Sequence, residues 1–353
     1  MGAGAPPTDL PEDSSRDVGN TPLLDLRPYC TVPSADPLAN ETKMKPILRF
    51  APLSIAAALL AAVIPVSVHA AKFPPLNAPA TAEHIPGKLV WADLFTADPD
   101  GATKFYCGLF DWTAASLEQK GKGYVVFSDG GTPVAGLSPR TVKGSNHPSR
   151  WIGYFAVTDI AATLAAATKD GGTVRAPSRN FPDRGYQAIF SDPDGIPIGL
   201  LQSTSGDTPD NQTKTGAWNW FEFYAKNPKA ATDFYHNVLG YDVANETKSD
   251  RKSDFVLSSA GLARGGVAPL PEGDDVKPSW LGVIRVANLD KTLEKVPSLG
   301  GEVLLAPHSV EFGSRFAIIL DSTGGTLGLV VYIDTANPAY SPCNIHAKYF
   351  SCP

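Results

Sequence analysis

Histidine and cysteine are scarce in this chain, six and four among 353 residues, and that scarcity constrains its chemistry first. Downstream of residue 70 the histidines are His84, His147, His236, His308 and His346. None is paired with another at i,i+4 or stands at ligand spacing from a cysteine, so no zinc-type motif is present. His147 and His308 sit in proline-flanked stretches and read as solvent-facing loop residues. There is no Gly-x-Ser-x-Gly nucleophile turn, no phosphate-binding loop and no dinucleotide fingerprint. A basic stripe is also missing: 30 Lys and Arg stand against 36 Asp and Glu, a formal net charge of −6. That balance argues against a nucleic-acid partner.

The few cysteines are placed informatively. Cys343 and Cys352 lie in a short tail (residues 333–353) too small to pack itself, where a disulfide between them is expected. Cys107 follows Phe105-Tyr106 on a helical pattern and reads as a small buried hydrophobe.

Residues 1–43 are rich in Pro, Asp, Ser and Thr without hydrophobic period and read as a disordered leader. Met44 to Arg49 is a short basic start. From Phe50 to Val68 the chain is almost wholly aliphatic, and Val68-His69-Ala70 offers a small-residue cleavage site. Residues 44–70 therefore read as a secretory signal peptide. A membrane anchor is the rival reading, but Pro52 and Pro65 interrupt a run barely long enough to span. A signal functions poorly behind a 43-residue polar leader, so Met44 is the expected start. The mature chain would begin near Ala71, be secreted or periplasmic, and keep no stable membrane span.

Self-similarity is the strongest feature. An offset of 129 residues joins Trp91 with Trp220, Pro99 with Pro228, Phe105-Tyr106 with Phe234-Tyr235, Trp151 with Trp280, Asp192 with Asp321, and Gly199-Leu200 with Gly328-Leu329. The same offset also joins Gly136 with Gly265. The chain is thus a duplication, residues 87–202 and 216–332, joined by a polar linker over 203–215. Within each copy the pattern subdivides. Leu89–Thr96 alternates as a strand, Asp98-Pro99 starts a helix as N-cap and first-turn proline, and Ala102, Phe105, Tyr106 and Leu109 mark its buried face. Short strands follow, at Tyr124–Phe127 and Val134–Leu137. The pattern then restarts at Trp151, with an Asp159 cap and a Gly171-Gly172 stop. Each copy therefore predicts two βαβββ modules.

Paired modules of this kind resemble the vicinal-oxygen-chelate superfamily, which includes glyoxalase I, extradiol dioxygenases and bleomycin-binding proteins. The residues that carry the likeness are Asp98-Pro99…Phe105-Tyr106, Asn227-Pro228…Phe234-Tyr235, and the element Ser191-Asp192-Pro193-Asp194-Gly195. The resemblance implies an α+β fold of tandem domains, each an open eight-stranded barrel with a site in its hollow. It also implies a divalent metal held by His, Gln and Glu side chains. At the implied positions this chain has Trp91, Ile152 and Gly199 in one copy and Trp220, Leu281 and Gly328 in the other. Such groups cannot ligate a metal, so no metal and no cofactor are expected.

Strand alternation puts Trp91, Asp93 and Phe95 on the face lining the first hollow, opposite Ile152, Tyr154 and Ala156. In the second, Trp220, Glu222 and Tyr224 face Leu281, Val283 and Arg285. Trp91, Asp93, Tyr154, Trp220, Glu222 and Arg285 are therefore the candidate ligand-binding residues, with Arg150, Arg184 and Tyr186 as further candidates. Arg285 is an expected ion-pair partner for Glu222, whereas Ala156 leaves Asp93 without one. Three readings stay open: a metal-free protein binding a small organic molecule, a lyase- or dioxygenase-like enzyme with a non-standard site using Asp93 or Glu222 as base, and a scaffold with filled hollows.

Overall fold

The computed structural model describes residues 73–117, 123–140, 149–210, 214–246, 254–271, 277–309 and 314–331. The expected leader, signal peptide and tail disulfide lie outside them.

The first copy runs β1 (Leu89–Thr96), α1 (Pro99–Phe110), β2 (Thr113–Ser116), β3 (Val125–Asp129), β4 (Thr132–Pro139), then β5 (Arg150–Ala156), α2 (Ile160–Lys169), β6 (Thr173–Phe181), β7 (Gly185–Ser191) and β8 (Pro197–Ser203). The second repeats this as β9 (Trp218–Ala225), α3 (Pro228–Leu239), β10 (Asp242–Glu246), β11 (Asp254–Ser259), β12 (Leu262–Pro269), β13 (Ser279–Arg285), α4 (Leu289–Ser298), β14 (Glu302–Ser309), β15 (Arg315–Leu320) and β16 (Thr326–Val331). The helix starts follow the caps in the sequence: the side chains of Asp98, Asp159, Asn227 and Asn288 accept from first-turn amides, satisfying donors that a helix start leaves unpaired. The short β2, and the length of β6, go beyond what the hydrophobic pattern predicts. β6 is almost wholly exposed, so it has no apolar period to read.

Each copy forms one open eight-stranded sheet, ordered β2-β3-β4-β1-β5-β8-β7-β6 in the first and β10-β11-β12-β9-β13-β16-β15-β14 in the second. The two first strands of the modules, β1 and β5, pair antiparallel at the middle, and β9 pairs β13 likewise. Gly136 stands opposite Asp93, but Gly266 rather than Gly265 stands opposite Glu222. The second copy therefore carries one extra residue before β12, and the 129-residue offset slips to 130 there.

One core serves both copies. The helix-side residues Leu94, Phe105, Tyr106 and Phe155 cluster with Phe221, Phe223, Phe234 and Tyr235. Trp151 meets Trp218 edge-on at 5.1 Å, and Phe155 meets Phe221 at 4.8 Å. Two polar ties cross this core reciprocally: Tyr106 Oη donates to Asp321 Oδ2 at 2.6 Å, and Tyr235 Oη donates to Asp192 Oδ2 at 2.7 Å. These residues are matched by the 129-residue offset, so the copies pack about an approximate two-fold axis.

The start of the expected linker is not a solvated tether. Ser203, Ser205 and Asp207 are buried. Further on, Asp210 pairs with Lys88 of the first copy and, through both carboxylate oxygens, with Arg264 of the second. Cys107 is disulfide-bonded, which corrects the reading of it as a plain buried thiol. The chain's other cysteines, Cys30, Cys343 and Cys352, all lie outside the described residues. His308 lies on β14 rather than in a loop, its ring edge-on to Phe316 at 5.7 Å. Among the described residues no helix is long and apolar enough to cross a membrane.

Candidate functional site

The face of each sheet turned away from the shared core carries the residues that sequence alternation selects. In the first copy, Trp91 pairs with Tyr154 and Asp93 with Ile152 across β1 and β5. In the second, Trp220 pairs with Val283 and Glu222 with Leu281 across β9 and β13. A Trp-x-acid contact recurs in both: Trp91 Nε1 donates to Asp93 Oδ1 at 2.7 Å, and Trp220 Nε1 donates to Glu222 Oε2 at 3.0 Å.

The hollows then diverge. Trp91 and Asp93 are 2% and 4% exposed, whereas Trp220, Glu222 and Tyr224 are only half-buried. In the first hollow Tyr124 Oη donates to Asp93 Oδ1 at 2.5 Å and accepts from Trp91 Nε1 at 3.0 Å. Arg184, in the turn between β6 and β7, is fully buried with its guanidinium 3.9 Å from the centre of the Trp91 ring. Its Nε donates to the Pro74 carbonyl at 2.6 Å, while Nη1 and Nη2 have no hydrogen-bond partner. The roof is residues 73–77: the Phe73 ring lies 4.6 Å from Tyr124 and 4.8 Å from Phe181, and Leu76 packs beside Trp91 and Tyr154.

The expectation that Asp93 lacks a partner is thus corrected. On β5, the strand facing β1, Ala156 offers nothing. The partners instead come from Tyr124, just before β3, and from Arg184 in a distant turn. Tyr124 left a faint signal in the sequence, Gly136. A Cβ there would lie 1.8 Å from Tyr124 Oη and 2.3 Å from Asp93 Oδ1. Arg184 belongs to the site, while Arg150 and Tyr186 are exposed beyond it. Arg285 borders a groove with Asp111, Lys291 and Lys295, between the end of α1 and one flank of α4.

Burial raises the carboxyl pKa of Asp93, opposed by hydrogen bonds from Tyr124 and Trp91 and by the charge of Arg184. Burial and the neighbouring Asp93 also push the Tyr124 and Tyr154 hydroxyls well up, and burial lowers the pKa of Arg184. A raised acid pKa means the folded chain holds that proton more tightly than the unfolded chain. The associated stability is complete below the ordinary 3.8 and is lost as pH rises through the folded value. The melting temperature of the native chain relative to Asp93→Asn is therefore expected to fall as pH climbs above that ordinary value. A difference that stays flat with pH, or grows, would contradict the buried carboxyl.

The donor set at the metal positions of the resembled family does not fit a divalent cation. Trp91 is committed to Asp93 and Tyr124. Ile152 is apolar, and a Cβ on Gly199 would lie 2.5 Å from the Tyr154 ring. On Gly328 it would lie 2.9 Å from Phe316 and 3.0 Å from Val283. Among the described residues no three His, Cys, Asp or Glu side chains group as a metal site.

Comparison with known proteins agrees with the topology. The family model for the Glyoxalase/Bleomycin resistance protein/Dioxygenase superfamily matches residues 88–200 and again 217–328. The chain is 30% identical to "Putative glyoxylase CFP32" of Mycobacterium bovis over 257 residues, 71% of this chain and 97% of that protein. It is 28% identical to "Anthracycline biosynthesis protein DnrV" of Streptomyces peucetius, covering 69% of this chain and 93% of the other. Among solved structures, the Mn(II)-bound glyoxalase of Novosphingobium aromaticivorans superposes with a TM-score of 0.53 at 15% identity, over 71% of this chain and 84% of that one. Its likeness shows the shared fold. Two family matches in tandem, on two sheets of the same strand order, make this chain a member of the Glyoxalase/Bleomycin resistance protein/Dioxygenase superfamily.

Proposed function

We propose that this chain is an exported member of the superfamily that binds a small organic molecule in a sheet hollow without a metal. The observation that carries the reading is the content of the first hollow. Trp91, Tyr124 and Tyr154 surround a carboxylate and a guanidinium where the metal-dependent relatives need ligating side chains. An aromatic lining with a few convergent polar groups is the usual make-up of a small-molecule site. The similarity to a protein named for anthracycline biosynthesis supports a flat, ring-containing ligand. The disulfide at Cys107 supports an oxidising compartment and hence export.

Metal analysis and a thermal-shift screen against planar aromatic compounds test the reading on the mature chain. The expected result is far less than one equivalent of metal. A ligand at about 100-fold over its Kd should add roughly 3 kcal/mol, or about 6–12 °C in melting temperature. One equivalent of tightly bound Zn, Ni, Mn or Fe per copy would overturn it. N-terminal sequencing of the exported form should read from Ala71.

The burial-raised pKa of Asp93 favours a second reading, a metal-independent enzyme in which this carboxyl moves a proton. Loss of turnover in Asp93→Asn with binding retained would select it. Unchanged turnover would sink that role.

A further inference from the structure

A fully buried guanidinium with two idle terminal nitrogens costs folding free energy unless something repays it. Arg184 is in that position. Its cation faces the Trp91 ring, its Nε reaches the Pro74 carbonyl, and Nη1 and Nη2 reach nothing. Asp93 lends Arg184 its charge but not an acceptor: it takes hydrogen bonds from Trp91 and Tyr124, and neither Nη1 nor Nη2 bonds to it. Two parallel donors in one plane match the two oxygens of a carboxylate.

The roof over this guanidinium is made of ligand-like parts. Phe73 places an aromatic ring in a slot between Tyr124 and Phe181, at 4.6 and 4.8 Å. The adjoining Pro74 places a carbonyl oxygen on Arg184. Among the described residues, the segment is fastened most densely at its far end. Leu76 N and Asn77 N donate to Ser205 Oγ at 2.9 and 3.2 Å, and Asn77 Nδ2 donates to the carbonyls of Ser205, Gly206 and Asp207 at 3.3, 3.0 and 2.8 Å. Ahead of Leu76, what holds the segment is two ring contacts and one hydrogen bond to Arg184. Phe73 is only half-buried, and no sheet ladder includes the segment. Such a segment opens far more readily than the sheet beneath it.

We propose that the first hollow is a receptor for a small aryl carboxylate and that Phe73-Pro74 is a stand-in for that ligand, swinging out and loosening the Leu76 and Asn77 hydrogen bonds to Ser205 Oγ when it arrives. The ligand's ring takes the slot between Tyr124 and Phe181, and its carboxylate takes Arg184 Nη1 and Nη2. The second copy has no matching cation: the residue offset from Arg184 by 129 is Gly313. The receptor therefore belongs to one copy and not to the duplication. This inference rests on the small-molecule reading above and narrows it to one hollow and one ligand class.

Titration calorimetry with phenylacetate and its uncharged analogue phenylacetamide tests it on the mature chain, on Phe73→Ala and on Phe73→Ala/Arg184→Gln. Removing the ring that competes for the slot raises the open fraction, so Phe73→Ala is expected to bind phenylacetate about tenfold more tightly than the parent. Phenylacetamide should bind at least about tenfold more weakly than phenylacetate, and the double variant should lose the preference for the acid. Equal or weaker binding by Phe73→Ala, or a preference that survives Arg184→Gln, overturns the proposal. Hydrogen exchange in the unmutated chain gives a readout that does not depend on the variants folding. Saturating phenylacetate should speed exchange at the Leu76 and Asn77 amides, and unchanged or slower exchange overturns the proposal. If planar aromatics bind with exchange of those amides unchanged, and Trp220→Ala abolishes that binding, the general reading stands and this one falls. If neither the parent nor Phe73→Ala binds any small molecule, both fall.

Discussion

Asp321→Ala is expected to lower stability by about 3 kcal/mol, roughly 6–12 °C in melting temperature, although Asp321 meets Tyr106 in the shared core and lines neither hollow. Its Oδ1 accepts from the Thr323 amide at 2.7 Å, the Thr323 hydroxyl at 2.8 Å and the Gly325 amide at 2.9 Å. Its Oδ2 accepts from Tyr106 of the other copy. Truncation strands several donors at once. Tyr106 and the Gly325 amide would be left dry, because both are buried with the carboxylate. A stranded buried donor costs more than the net value of the bond it made. Asp321→Asn keeps the Oδ1 acceptor and should cost roughly 1 kcal/mol. Asp192→Ala should fall between, since that carboxylate holds the Ile196 amide and Tyr235. A double-mutant cycle between Tyr106→Phe and Asp321→Asn isolates the tie across the copies, with a coupling of about 1 kcal/mol or more expected. Should Asp321→Ala unfold within 1 °C of the parent, the tie is ornamental.

That pair also shows what the sequence carried and what it withheld. Tyr106 sits in a motif by which the chain resembles its family, and Asp321 is the counterpart, 129 residues on, of Asp192 in another. Periodicity declares that Tyr106 is buried on one helical face, but it is silent on what buries it, because any apolar surface satisfies the same pattern. The exchange of partners between copies is a tertiary choice. Capping worked well for a matching reason: an N-cap bond spans two or three residues, so Asp98, Asp159, Asn227 and Asn288 announce their helices locally.

In the first hollow, β1 and β5 were legible because strand alternation fixes which side chains share a face, and Trp91, Asp93 and Tyr154 do share it. Tyr124 stands at the edge of a short strand, where alternation alone does not tell which partner its hydroxyl meets. Residues 73–77 were invisible because they follow no period and bind through backbone amides, a carbonyl and one asparagine. The assumption that Asp93 needs a cross-strand cation was too narrow. A buried carboxylate can be served by an indole, a phenol and a remote guanidinium together.

The shared core leads to the second large effect: neither copy should fold alone as a monomer. Residues 71–207 by themselves would expose Leu94, Phe105, Tyr106, Trp151 and Phe155, all fully or almost fully buried in the whole chain. Phe155 would lose Phe221 and Phe223, and Trp151 would lose Trp218 and the Trp280 indole that donates to its carbonyl at 2.8 Å. Each large side chain returned to water forfeits about 1.5–3 kcal/mol. Five of them come to about 7.5–15 kcal/mol, as large as the roughly 5–15 kcal/mol that holds a typical domain. The approximate two-fold relation between the copies leaves one escape, since a surface that packs on its own near-duplicate can also pack on itself. Separately expressed copies are therefore expected to aggregate or to form homodimers through the helix face, and mixing them should restore a one-to-one complex. Sedimentation and thermal denaturation decide the matter. A monomeric single copy that unfolds cooperatively with the melting temperature of the full chain would mean the core is divided after all, with the reciprocal tyrosine–aspartate ties as mere contacts between finished domains.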